Sequence, residues 1–335
     1  MMTMVSFGDL AQNFLLKAQS SRLKAESLRI TQELSSGQRA DIGRTLSGDH
    51  ARLSAISRSY DLAKGFLSVT AEADFRMSSV QSIISITIDS GRSLVSDLSL
   101  VPQDGSPVTL GLATERARQT LDSILAAMNA APGGRSVLAG DAVTGAAISS
   151  ADVLLSALRP VIGAATTPKE AMDLAALWFE DAAGFSGTVY LGGAALADLS
   201  ISENQKIWLG PKADDVAFRT ALSGIAVAAL LQDGVLLLDE QGRRQLAVMA
   251  GDKTRTGLDA LADLGGRVGQ SQAKIDATRS RLQAELLTLD IARSDLVSSD
   301  PGQLATELEA VQTNLETLYA VTARLSRLTL TDFLR

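Results

Sequence analysis

Near the C-terminal end of the chain, Leu304, Leu308, Val311, Leu315, Leu318, Thr322 and Leu325 follow one another at alternating steps of four and three residues. All but Thr322 are apolar, which predicts a helix that buries one seam against another helix. Tyr319, Val321, Leu328, Leu330, Phe333 and Leu334 then spread apolar surface onto the other sides of the last turns. A helix that is apolar on most sides is not stable in water alone. The pattern therefore predicts packing between subunits for Leu304, Leu308, Val311, Leu315, Leu318 and Leu325, with Phe14 and Leu28 of an N-terminal helix opposite them.

Upstream, helical periodicity dominates both flanks. Residues 9–36 place Phe14, Ala18, Ser21, Ala25 and Leu28 at helix spacing, and Gly37 stands where a helix C-cap falls. A second helical stretch over 47–100 continues a seam through Leu53, Ile56, Tyr60, Ala63 and Leu67. Pro102, Gly105 and Pro107 predict a turn, and a third helix over 111–130 ends at Pro132-Gly133-Gly134. From 240 onward Ile275, Leu282, Leu289 and Leu296 recur every seven residues, up to Ser299-Asp300-Pro301. Pro301 suits the first position of the last helix, with Ser299 or Asp300 as its cap.

Between these flanks the texture changes. Thr167-Pro168 predicts the start of a helix through Trp178. Thr188–Leu191 and Lys206–Leu209 read as short strands, and Asp214–Leu231 as another helix. The fold class that follows is mainly α. Helical parts at 1–140 and 240–335 form a bundle or coiled coil from opposite chain ends, and 141–239 forms a small inserted α+β domain.

Composition narrows the function. Apolar residues make up 46% of the 335 and aromatic residues only 4%, which suits long helices packed through small and aliphatic side chains. A formal charge of −7 argues against a general nucleic-acid binder. The apolar run Gly224–Leu231 is far short of the roughly 18 residues that span a bilayer, so no membrane insertion is expected. Cysteine is absent, which removes disulfides, thiolate nucleophiles and cysteine metal sites. The first basic side chain is Lys17, so the N-terminus does not read as a Sec signal peptide.

Catalytic chemistry finds little support. His50 is the one histidine and reads as an ordinary helix-surface residue, with no second histidine to build a zinc site. Asp214-Asp215 reads as a pair of acids at a helix N-terminus, and Glu307 and Glu309 flank the terminal seam on polar faces. Trp178 and Trp208 read as core of the insert, with an exposed partner-binding patch as the alternative. No catalytic, cofactor-binding or metal-ligating residue is expected.

Three segments resemble a known family. Leu34-Ser35-Ser36-Gly37-Gln38-Arg39 resembles the Leu-Ser-Ser-Gly-x-Arg signature that closes the first helix of the bacterial flagellin family. Gly134–Asp141 resembles the Gly-x-Tyr-hydrophobic-Phe-Ala-Gly segment after the third helix, with Ser136 and Leu138 where aromatics are usual. The block from Asp300 to Arg335, ending Leu325-Ser326-Arg327-Leu328-Thr329-Leu330-Thr331-Asp332-Phe333-Leu334, is similar to the hook-associated members of that family. The resemblance covers about 1–140 and 240–335.

It implies an extracellular structural component of the bacterial flagellum, exported through the type III apparatus without a Sec signal. The expected role is a hook–filament junction adaptor, self-associating in a ring and joining hook-associated protein to flagellin through terminal helices. A filament flagellin is the alternative. A secreted enzyme with its activity in the insert, and an unrelated coiled-coil interaction protein, are further readings.

Overall fold

In the computed structural model, which describes residues 7–40, 50–104 and 106–333, long helices dominate and two short strands make the one sheet among those residues. Helices α1 (Phe7–Ser36), α2 (His50–Asp104) and α3 (Pro107–Met128) come first. The middle contains α4 (Ala151–Ile162), α5 (Pro168–Glu180), the single turn α6 (Phe185–Thr188), strands β1 (Leu199–Ser202) and β2 (Gln205–Ile207), and α7 (Val216–Ala229). The chain closes with α8 (Glu240–Val297) and α9 (Pro301–Phe333). It divides into two units, residues 1–64 with 284–335, and residues 65–283, so both boundaries fall inside long helices.

In the 65–283 unit, α2 and α8 run antiparallel in a seven-residue register. Ile84, Gly91 and Leu98 on α2 meet Gly265, Leu258 and Gly251 on α8. A Cβ added to Gly91 would come within 2.7 Å of Leu258 Cδ2, so the missing side chain is what lets the leucine seat there. Helix α7 lies against α3 and α5 and is buried from Ala221 through Ala229. Its small residues allow backbones to approach. A Cβ on Gly224 would sit 2.6 Å from the Ala250 carbonyl oxygen, and one on Gly257 would meet the backbone of Ala221. Burial on every side explains why α7 is apolar all round without spanning a membrane.

One apolar core runs through this unit, from Ala73 on α2 to Ile275 on α8, and takes in Leu154, Phe179, Ile201 and Phe218 of the middle segment. The residues expected to form an inserted domain therefore share a core with the flanking helices and do not close one of their own. Trp178 meets Phe179 edge-on at 5.1 Å, and Trp208 packs at the core margin beneath the Arg267 guanidinium, 4.5 Å from its ring centre.

Local expectations meet mixed outcomes. Helix α5 starts as expected: Thr167 Oγ1 accepts from the Glu170 N–H at 3.2 Å, and Glu170 accepts in turn from the Thr166 N–H at 2.8 Å. Asp215 caps α7 by accepting from Ala217 N at 3.1 Å. The strand expected at 188–191 is not one. The N–H groups of Val189 and Tyr190 turn back to the Phe185 carbonyl, so this stretch closes a helical turn and makes a single bridge between Tyr190 and Ile148. The strand near 206 exists as β2, and its partner is β1, joined by the two-residue turn Glu203-Asn204. The turn expected at Pro102 begins later, because α2 runs on through the proline to Asp104.

Candidate assembly interface

The unit formed by residues 1–64 and 284–335 is built around the end of α1. Gly37 leaves the helix at φ +68°, a conformation that favours glycine, and its N–H closes onto the Glu33 carbonyl at 2.9 Å. The next residues are clasped to the turn between α8 and α9. Arg39 N–H donates to the Val297 carbonyl at 2.9 Å, Arg39 Nε to the Ser298 carbonyl at 3.0 Å, and Ser299 N–H to the Gly37 carbonyl at 3.1 Å. Ser299 Oγ donates to the Glu33 carbonyl at 3.3 Å. Asp300 is left as the cap of α9, accepting from Gly302 N at 2.8 Å, which resolves the choice between the two residues.

Glu33 sits buried beneath this clasp. Its carboxylate accepts from Arg29 Nη1 at 2.7 Å and from Ala40 N–H at 3.0 Å, so its charge is paired. The Arg29 guanidinium is held above its ordinary value, chiefly by that hydrogen bond and against the opposing effect of burial.

From the clasp, α9 returns antiparallel along α1. Leu304 and Val311, only 6% and 8% exposed, pack with Ile30; Leu23, Leu308 and Leu315 complete the cluster. Leu318 is buried further along, and Lys24 Nζ lies 5.8 Å from the centre of the Tyr319 ring. The C-terminal seam is thus covered by the chain's own first helix. The side chains of Leu325, Leu328, Leu330, Phe333 and of His50, and Leu334 as a whole, lie outside the described residues.

Phe14 and Leu28 do not oppose this seam, contrary to the sequence reading. They are 73% and 72% exposed. At about 100° per residue Phe14 lies roughly 180° around α1 from Leu23, so the two positions occupy opposite faces. The residues that do face α9 are Leu23 and Ile30, which stand seven apart with Leu16 in the same register. That heptad was present in the sequence and was masked by the equally regular spacing of Phe14, Ala18, Ser21, Ala25 and Leu28.

Helix α1 therefore has two apolar faces. One is used inside the chain, and the other presents Phe14 and Leu28 outward. Leu287 and Ile291 on α8 are also exposed in this unit. Among the described residues no three His, Cys, Asp or Glu side chains group as metal ligands, and no helix is long and apolar enough to cross a membrane.

Residues 252–334 match the family model of the bacterial flagellin C-terminal helical region. The match covers about a quarter of the chain. The matched stretch holds most of α8, the clasp residues Val297–Asp300 and the whole seam of α9. No curated protein sequence matches the chain. Among solved structures, a candidate flagellar hook-associated protein from Vibrio parahaemolyticus is similar at 16% identity, with 75% of this chain and 99% of that chain covered and a TM-score of 0.49.

Proposed function

We propose that the chain is a structural component of the bacterial flagellum, and within it a hook–filament junction adaptor, a subunit that self-associates in a ring and joins hook-associated protein to flagellin. The observation that carries the reading is the two-faced α1. Its Leu23 and Ile30 face is filled by α9, while Phe14 and Leu28 stand bare on the other side of the same helix. Burying those two side chains against a neighbouring subunit removes apolar area from water at about 25 cal/mol per Å². In this reading the seam of Leu304, Leu308, Val311, Leu315 and Leu318 holds the helix pair together, and the outer face of the pair meets neighbours. Leu325 extends the same seven-residue spacing. Export to the cell exterior without a Sec signal belongs to the same reading.

A filament flagellin is the second reading, because the matched C-terminal region belongs to the flagellin family as a whole. Deleting the gene and imaging the cells separates them. Hooks that lack filaments while flagellin is shed into the medium support the adaptor. Cells that keep normal filaments sink it, and loss of filament protein itself favours the filament subunit.

A further inference from the structure

The unit of residues 1–64 and 284–335 carries a second bare apolar stripe, on α8. Leu287 and Ile291 are 63% and 56% exposed, and Ala284 and Ser294 continue the stripe at steps of three residues on either side. The outer stripe of α1, Phe14, Ala18, Ser21, Ala25 and Leu28, follows the same alternating steps and is exposed throughout. Both stripes are bare at once, so they do not fill each other within one chain.

Their side chains are complementary in size. Setting Ser21 level with Leu287 puts Ala18 opposite Ala284, Ala25 opposite Ile291 and Leu28 opposite Ser294. A large side chain then meets a small one at three of these four levels, and Phe14 falls over the turn before Ala284. Two stripes with this spacing are what a pair of helices needs for knobs-into-holes packing.

Their flanks are complementary in charge. At about 100° per residue, Lys17 and Lys24 border the α1 stripe on one side and Arg22 and Arg29 on the other. Asp290 and Asp295 border the α8 stripe, one on each side. Arg29 is also bonded to Glu33 at 2.7 Å; Lys17, Arg22, Lys24 and both aspartates are exposed. Two α1 stripes face to face would set cations against cations, and two α8 stripes acids against acids. Pairing α1 with α8 in parallel, at the level of Ser21 and Leu287, brings Lys24 beside Asp295 and Arg29 beside Asp290. The outward line of α9, Thr306, Glu309, Thr313 and Glu316, is polar and offers no such surface.

We propose that the outer stripe of α1 docks on the Ala284–Ser294 stripe of α8 in a second copy of this chain, with the two helices parallel and Ser21 against Leu287. The inference rests on the reading in which Phe14 and Leu28 meet a neighbouring subunit, and names the surface that they meet. The two patches differ, so the contact is head-to-tail. Each copy offers α8 to one neighbour and α1 to the next, and the contact propagates into a ring or helical array instead of stopping at a dimer.

The chain has no cysteine, so engineered thiols report the contact without background. Ala18→Cys with Ala284→Cys in one chain places a thiol on each stripe at the same level and removes no large apolar side chain. Oxidised at high concentration, the full chain carrying both should give a ladder of disulfide-linked dimers, trimers and longer species on non-reducing gels, and each single variant should stay monomeric. Ala25→Cys with Ala284→Cys, one heptad out of register, should give several-fold less. In the Ala18→Cys/Ala284→Cys chain, Lys24→Glu or Asp295→Lys alone should reduce the ladder several-fold, and the two together should restore it. No ladder, a disulfide closed within one chain, dimers from either single cysteine variant, or equal yield from the Ala25→Cys pair would overturn the docking. Failure of the double charge reversal to restore the ladder would overturn the parallel register. The gene deletion reads separately: normal filaments there remove the junction role and leave a ladder standing, whereas lost filaments without a ladder remove this contact and leave the role.

Discussion

Arg39 Nε donates to the carbonyl oxygen of Ser298 at 3.0 Å across 259 positions of sequence. With the paired backbone bonds Arg39–Val297 and Ser299–Gly37, it fastens the end of α1 to the turn that reverses the chain from α8 into α9. The Leu-Ser-Ser-Gly-x-Arg pattern thus acquires a physical role. Gly37 supplies the left-handed exit, and Arg39 reaches the facing turn.

Gly37→Ala should destabilise this unit by about 1–2 kcal/mol, the cost of forcing a Cβ into the left-handed region. Arg39→Ala should act in the same direction. Hydrogen exchange at the Arg39 and Ser299 amides measures both. Faster exchange there, with the α7 amides unchanged, is the expected outcome; a uniform increase across the chain would show that the clasp is not a local fastening.

The two faces of α1 should respond differently to substitution. Phe14→Glu and Leu28→Glu should leave stability within about 0.5 kcal/mol, since both side chains are solvent-facing, yet block incorporation into flagella. Ile30→Ala should cost about 2 kcal/mol, at the lower end for a buried aliphatic because its cluster is small. A Leu28→Glu protein that assembles normally would remove that face from the interface.

Glycines on α8 should give opposite signs. Gly257→Ala places a methyl against the backbone of Ala221, which cannot swing aside, and should cost about 1–3 kcal/mol or more. At Gly266 an added Cβ meets nothing within 4 Å, so Ala there should stabilise the helix by about 0.5–1 kcal/mol. Thermal unfolding of the two variants decides; equal shifts would contradict the α7–α8 approach.

Two tyrosines should titrate apart. Burial, then the charges of Asp214 and Asp141, push the Tyr190 phenol up to about 12, and its OH donates to the Gly193 carbonyl at 2.9 Å. Tyr319 is held below its ordinary value, first by the hydrogen bond from Lys24. The unfolded chain ionises Tyr190 near 10, so the stability linked to this group is complete below pH 10 and is lost as pH rises from 10 to about 12. Absorbance at 295 nm should lose its late step in Tyr190→Phe and its early step in Tyr319→Phe.

Much of this arrangement was legible along the chain. The periodicity of 304–318 announced a buried helical seam, although it was expected to pack between subunits and it packs on the chain's own α1; Gly37 marked a helix end, and Pro301, Thr167 and Asp215 marked helix starts. These are local signals, set by backbone sterics and by which N–H groups lack a partner at a helix terminus, and they do not need distant residues. The strand misplaced at 188–191 shows the limit. Val189 and Tyr190 have strand propensity, but their N–H groups found a partner four and five residues back, at Phe185.

What sequence alone determined, then, is the helical class, the positions of the caps and the existence of apolar faces at both chain ends. Only the tertiary structure decided which face meets which. Leu23 and Ile30 took the α9 seam while Phe14 and Leu28 stayed in solvent, although both sets have helical spacing. Only the fold set the seven-residue register of α2 against α8. The physical reason is common to both. Periodicity specifies that a face must be buried, but the partner is chosen by close packing between residues far apart in sequence, and no local pattern encodes it.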